Sequence, residues 1–238
     1  MVEFIFTNKT IYTEKGGESM DKLIFKDSMS TCHKIVTDAN GKRYLMDTST
    51  LTPNVHGFGI IPNQVTVEMV EIGNRDQNFE FKAKPSSKFL GVAAVAQPLT
   101  TILYKVLESV FLKYNIHQQL LLKWMMFGLS IVLAFVLAKV YIQLARKKVA
   151  DRVSPNAKRY TAKFTYWKKR DYSNWFMIFL IAIIFYFFLK STNGTEGILL
   201  VPITILAHFL FVFWLGMAPV DQNYNRKRMQ LISIEEIQ

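Results

Sequence analysis

The sequence predicts a membrane all-α protein, about four transmembrane helices in two hairpins, with a small β-rich cytoplasmic N-terminal domain. Three observations predict it. Apolar runs at 89–112, 120–143, 175–189 and 197–220 approach or reach the about 20 helical residues that a bilayer core of roughly 30 Å requires. Ten Lys/Arg stand between residues 146 and 170 against one acid, Asp151, while the short stretches 114–119 and 191–196 hold no Lys or Arg. Residues 1–88 carry 11 Lys/Arg and 11 Asp/Glu, so the whole net charge of +11 belongs to the remainder.

The first 19 residues leave two readings open. Glu14-Lys15-Gly16-Gly17-Glu18 before Met20 is what a purine-rich bacterial ribosome-binding site encodes when translation starts upstream, which makes 1–19 a non-native or disordered leader and Met20 the initiator. The other reading is a strand pair, 3–7 and 10–13, joined at Asn8-Lys9. No basic region followed by an apolar core opens the chain, so the front is expected to remain cytoplasmic. The single Cys32 fits a reducing compartment. With His33 beside it, it falls far short of a zinc pattern and reads as a buried or idle thiol.

Residues 20–88 read as the β-rich domain. Strands at 32–37 and 43–46 flank Asp38-Ala39-Asn40-Gly41, where Asn-Gly supplies the positive φ of a tight hairpin turn. Residues 65–72 alternate Val65, Val67 and Met69 with Thr66 and Glu68, the pattern of a half-buried strand, with 78–82 expected as its partner. The Pro- and Gly-rich stretch 52–62 is a loop. So small a domain is marginal alone and is expected to lean on the basic loop, the membrane surface or a partner.

Residues 89–220 form the expected membrane domain, with a basic loop at 144–171 and a cytoplasmic tail at 221–238. The run 120–143 is charged only at Lys123 and Lys139, each near an end where a long stem can snorkel. The run 89–112 carries Gln97, Pro98, Lys105 and Glu108, and the last two share a helix face and can neutralise each other. By the positive-inside rule the basic loop and both termini lie in the cytoplasm of a multi-pass cell-membrane protein. Small residues, Ala134 and Ala138 among them, offer close helix approach. Phe185 to Phe188 and Trp214 resemble interface belts.

Candidate functional groups are few. Lys105, Glu108 and His208 are the candidate intramembrane polar residues, with Ser130 and Thr204 as weak hydroxyl candidates, since such residues are costly in lipid and stand out. His208 reads as a proton relay, a lone ligand or, more commonly for such a residue, a neutral donor to a neighbouring helix. Arg146, Lys147, Lys148, Lys168, Lys169 and Arg170 are candidate contacts for anionic headgroups, although fixing topology already accounts for them. No catalytic, cofactor, metal or phosphate motif occurs, and a neutral front argues against nucleic acid. The spans lack the repeated acids or polar face of an aqueous path, so transport would require a homo-oligomer.

Lys34-Ile35-Val36, Gly41-Lys42-Arg43-Tyr44-Leu45-Met46-Asp47, Ile60-Ile61-Pro62 and Lys84-Pro85 precede a Gly/Ala-rich span. In this order they resemble the "tandem five-transmembrane" family of small Gram-positive membrane proteins. The resemblance runs from Cys32 to the last span. The polar stretch 50–59 departs from it and leaves four spans where the family name promises five. Some members are immunity proteins against membrane-depolarising toxins, and the resemblance implies that this chain occludes such a toxin in the bilayer. The alternative is an accessory subunit of a membrane complex, such as a secretion or envelope-stress assembly, with the β-rich head as its docking module.

Overall fold

The computed structural model describes residues 23–53, 62–73, 79–80, 89–167 and 173–237, without the side chains of 89–100 and 173. The readings made for 1–19, 54–61 and Lys168, Lys169 and Arg170 lie outside these residues. Six strands, β1 (Ile24–Asp27), β2 (His33–Thr37), β3 (Arg43–Thr52), β4 (Gln64–Ile72), β5 (Arg159–Tyr166) and β6 (Met229–Glu236), form one antiparallel sheet in sequence order. The described residues also form helices α1 (Phe89–Lys113), α2 (Leu120–Ala150), α3 (Ser173–Lys190), α4 (Leu200–Leu215) and the short α5 (Val220–Asn225).

This overturns the expected fold in two respects. The sheet is not a small N-terminal domain, because β5 comes from the basic stretch and β6 from the tail. Among the described residues, only two helical segments are long and apolar enough to cross a membrane, Leu120–Ala150 and Thr195–Leu215. Asn174–Lys190 is apolar but shorter.

The physical reason for the first correction is a period of two hidden inside a charge run. In β5, Ala162, Phe164 and Tyr166 are buried and Tyr160 half-buried, while Arg159, Thr161, Lys163 and Thr165 fall between them. Pairing Val65 with Phe164 and Val67 with Ala162 covers the edge of β4 that four strands alone leave unpaired. The expected dependence of the front on the basic loop therefore takes the form of a shared strand ladder. The partner expected for β4 at 78–82 is not its partner. Glu80 makes an isolated bridge to Ser28, and β4 lies between β3 and β5.

The β2–β3 hairpin forms where Asp38 and Gly41 dictate. Asp38 Oδ1 accepts from the amides of Asn40 and Lys42 at 2.9 and 2.8 Å, and Gly41 alone of the turn takes positive φ, 77°. Strand alternation then splits the core. Val36, Met46, Val67, Met69, Phe164 and Leu231 face Val220 and Tyr224 of α5, while Ile35, Leu45, Ile72 and Phe79 face Val149 at the end of α2.

Helices α2 and α4 run parallel and in step. Lys123 meets Glu196 at their start, Ala134 packs with Ile203 and Ala207, Tyr141 meets His208, and Ile142 meets Gly216 at their end. The span from Lys123 to Ile142 is roughly 28 Å at a rise of about 1.5 Å per residue, close to a bilayer core. α3 lies against α4, Ile181 joining the Ala134 cluster.

Phe164 is fully buried. Phe164→Ala is expected to cost about 3–5 kcal/mol and to loosen β2 to β4 together with β5. Amide hydrogen exchange checks it: unchanged protection in β2 and β3 would show that the front folds as a separate unit.

Candidate functional site

Two polar clusters hold the two ends of the α2–α4 pair. The first lies at the start of both helices. Lys123 Nζ is 3.0 Å from Glu196 Oε1, with the side chains 2% and 0% exposed. Lys123 also donates to the carbonyl oxygens of Phe188 and Ser191 and lies 5.7 Å from the Phe188 ring. The 3-10 turn Thr195–Leu199 presents Glu196 there, and the end of α1 seals it, because a Cβ at Gly197 would stand 2.8 Å from Phe111. Glu196 Oε2 meets no hydrogen-bond donor among the described residues. Snorkelling, expected for Lys123, does not occur: the ammonium turns inward to a carboxylate.

The second cluster joins the sheet to the helix ends. Thr48 Oγ1 donates toward the Gly216 carbonyl at 2.7 Å, shared with that of Cys32 at 2.9 Å. Gly216 permits this approach, since a Cβ there would lie 2.8 Å from Ile142 Cγ1 and 3.1 Å from Cys32 Sγ. Ser30 Oγ donates to the Ala145 carbonyl and Thr31 Oγ1 to the Tyr141 hydroxyl, both at 3.1 Å. A bulge in β3 after Asp47 accompanies an Asx turn, Ser49 N to Asp47 Oδ1 at 2.9 Å, and leaves Asp47 Oδ2 for Arg146 at 3.1 Å.

His33 completes this joint. Its Nδ1 lies 3.1 Å from Ser30 Oγ and its Nε2 3.8 Å from Asp47 Oδ2. Ser, His and Asp stand together, but the serine proton already serves Ala145 and the hydroxyl is buried. Assigned from that network, Nδ1 carries the hydrogen and donates to Ser30 Oγ. The trio is therefore a pin between β2, β3 and α2, with no free nucleophile. Cys32 is a free, fully buried thiol, pushed up to about 11 chiefly by burial. Among the described residues no three His, Cys, Asp or Glu gather to hold a metal.

The structure does not bring Lys105 and Glu108 together as an ion pair. Lys105 is exposed and Glu108 half-buried. His208 lies edge-on to Tyr141, ring centroids 6.2 Å apart, with Nδ1 buried and no hydrogen-bond partner among the described residues. Arg146 serves Asp47, whereas Lys147 and Lys148 are exposed on the last turn of α2. Sequence reasoning passed over Glu196, taken as part of an outer turn. The signal was present: one cation and one anion, each near the start of an apolar run, point to a pair once those runs lie parallel.

Lys123→Met is expected to cost about 3–5 kcal/mol by leaving Glu196 buried alone, and Lys123→Met with Glu196→Leu to recover most of it. Thermal unfolding in detergent checks the pair; equal losses in both variants would mean the charges do not interact. Burial holds His33 below its ordinary pKa of about 6.5, Arg146 lowers it further and Asp47 opposes both. The unfolded chain thus binds a proton between the folded pKa and about 6.5 that the folded chain does not, so stability is full above about 6.5 and falls as pH drops below it. Unfolding measured from about pH 5 to 8 is expected to show this slope, and His33→Gln to flatten it.

No family model matches the chain, and no curated protein or solved structure matches it.

Proposed function

We propose that the chain is a multi-pass protein of the cell membrane, both termini cytoplasmic, that acts by binding and protects the cell from a membrane-depolarising protein toxin. The observation that carries the membrane part is the burial of its two longest apolar segments. Only 17% of the apolar window of each is buried within the protein. Leu121, Met125 and Leu129 of α2 are 76, 63 and 68% exposed, a surface that a core helix of a water-soluble protein does not present. Bare apolar helix surface is also what pairing with a toxin's helices requires. The protective role itself rests on the resemblance carried by 34–36, 41–47, 60–62 and 84–85 before a Gly/Ala-rich span.

The accessory-subunit reading draws on a different observation. β6 is an edge strand, its outer side unpaired among the described residues, and edges accept a strand from a partner. Because the sheet takes strands from both ends of the chain, shortening the head cannot separate the two readings. Point changes can.

Asn115→Cys and Asn193→Cys are expected to react with a membrane-impermeant maleimide added outside intact cells, against little background from buried Cys32. Labelling only after lysis would reverse the topology. Cells co-expressing the chain and a depolarising toxin are expected to hold their membrane potential, to lose that protection with changes at Asn115 or Asn193, and to keep it with Gln230→Lys and Glu236→Lys on β6. The opposite pattern favours the docking subunit.

A further inference from the structure

Strand pairing sorts the basic residues into two kinds. Arg43 lies 2.9 Å from Glu80, Arg146 3.1 Å from Asp47, Lys158 3.1 Å from Glu236 and Lys163 2.7 Å from Glu235. These cations are answered within the protein. Arg226, Lys227 and Arg228, where α5 passes into β6, have no carboxylate within pairing distance among the described residues.

Their turn is held by the backbone. The amides of Arg226, Lys227 and Arg228 donate to the carbonyls of Gln222, Tyr224 and Asn223 at 3.0, 2.9 and 2.8 Å, and Lys227 takes φ 54°. Arg226 and Lys227 are exposed and Arg228 half-exposed. The Trp167 amide donates to the Arg228 carbonyl at 2.9 Å, which fixes beside the cations an indole that is 72% exposed. A large aromatic left open to solvent next to three unanswered cations is costly for a surface that meets only water. It suits the headgroup layer, where indoles concentrate and cations are attracted by lipid phosphate. Chain direction puts the patch at that level. β5 ends one residue before Trp167 and leads to α3, and β6 begins one residue after Arg228, following α4 and α5, so this end of the sheet faces the helix ends.

We propose that Trp167, Arg226, Lys227 and Arg228 form a binding surface for the headgroup phosphates of anionic glycerophospholipids. This deepens the membrane reading above and rests on it. Lipid specificity thereby belongs to the junction of α5 and β6 more than to the end of α2, where Lys147 and Lys148 lie on an exposed helix turn.

The test reconstitutes the full chain in an equimolar mixture of phosphatidylglycerol and phosphatidylethanolamine, purifies it in mild detergent and measures the retained lipids by mass spectrometry. The wild type is expected to retain phosphatidylglycerol in excess, and each of Arg226→Gln, Lys227→Gln and Arg228→Gln to lower that excess about fivefold until it reaches the ratio of the mixture. Arg226→Lys with Arg228→Lys keeps the excess, which separates charge from folding, and Trp167→Ala lowers retention of both lipids. A triple Gln variant with the wild-type ratio, or loss of the ratio only in Lys147→Gln with Lys148→Gln, overturns the proposal. Extraction of the wild type from membranes by alkaline carbonate would instead overturn the membrane reading itself.

Discussion

A charged pair sealed among apolar helices is the constraint on which the rest depends. Lys123 and Glu196 are tolerable where they sit only together, since either alone would be an uncompensated buried charge. Their meeting therefore sets the register of α2 against α4. From that point the contacts follow in step: small Ala134 and Ala138 admit α4 closely, Tyr141 faces His208, and Gly216 arrives beside Ile142 and Cys32. A slip of one turn along either helix would separate the charges at one end and drive Ile142 and Cys32 away from Gly216 at the other.

The sheet reads that register through hydrogen bonds. Thr48 bonds the Gly216 carbonyl, which the end of α4 leaves free, and Ser30 adds a second bond to the Ala145 carbonyl inside the last turns of α2. Asp47 takes the charge of Arg146, and neutral His33 fills the space beside them without adding a second cation. Helices and sheet are thus joined by directional contacts.

How far the fold was legible depended on whether local pattern and burial agreed. The β2–β3 turn was legible because Asp38 and Gly41 fix it locally, and β4 because Val65, Val67 and Met69 alternate without interruption. β5 was obscured because its inward residues lie inside a run whose cations suggest a topological loop. In β6 the alternation fails after Leu231, where a register shift between Lys163 and Phe164 offsets the pairing. The helix segments were found, but only α2, and α4 once the 3-10 turn ahead of it is counted, reach spanning length among the described residues, while Asn174–Lys190 falls short. Of the site, the ionisable groups singled out for standing within apolar runs proved less connected than Glu196, which stood just outside one. The joint of His33, Asp47 and Arg146 left no local trace, because a bulge in β3 and the end of a helix about 100 residues away create it.

Sequential strand order hides a discontinuous origin. β4 and β5 are neighbours in space, yet α1 and α2 are made between them, and α3 and α4 are made between β5 and β6. During synthesis the edge of β4, with Val65, Val67 and Met69 beneath it, waits bare until the first helical pair is complete, and β5 then waits for the second. Each strand added late closes the edge left by the one before, so the finished sheet records that both helical excursions returned to the same side. A chain cut short between the two helical pairs therefore leaves β5 without its β6 partner, an open ladder edge of the kind that invites association.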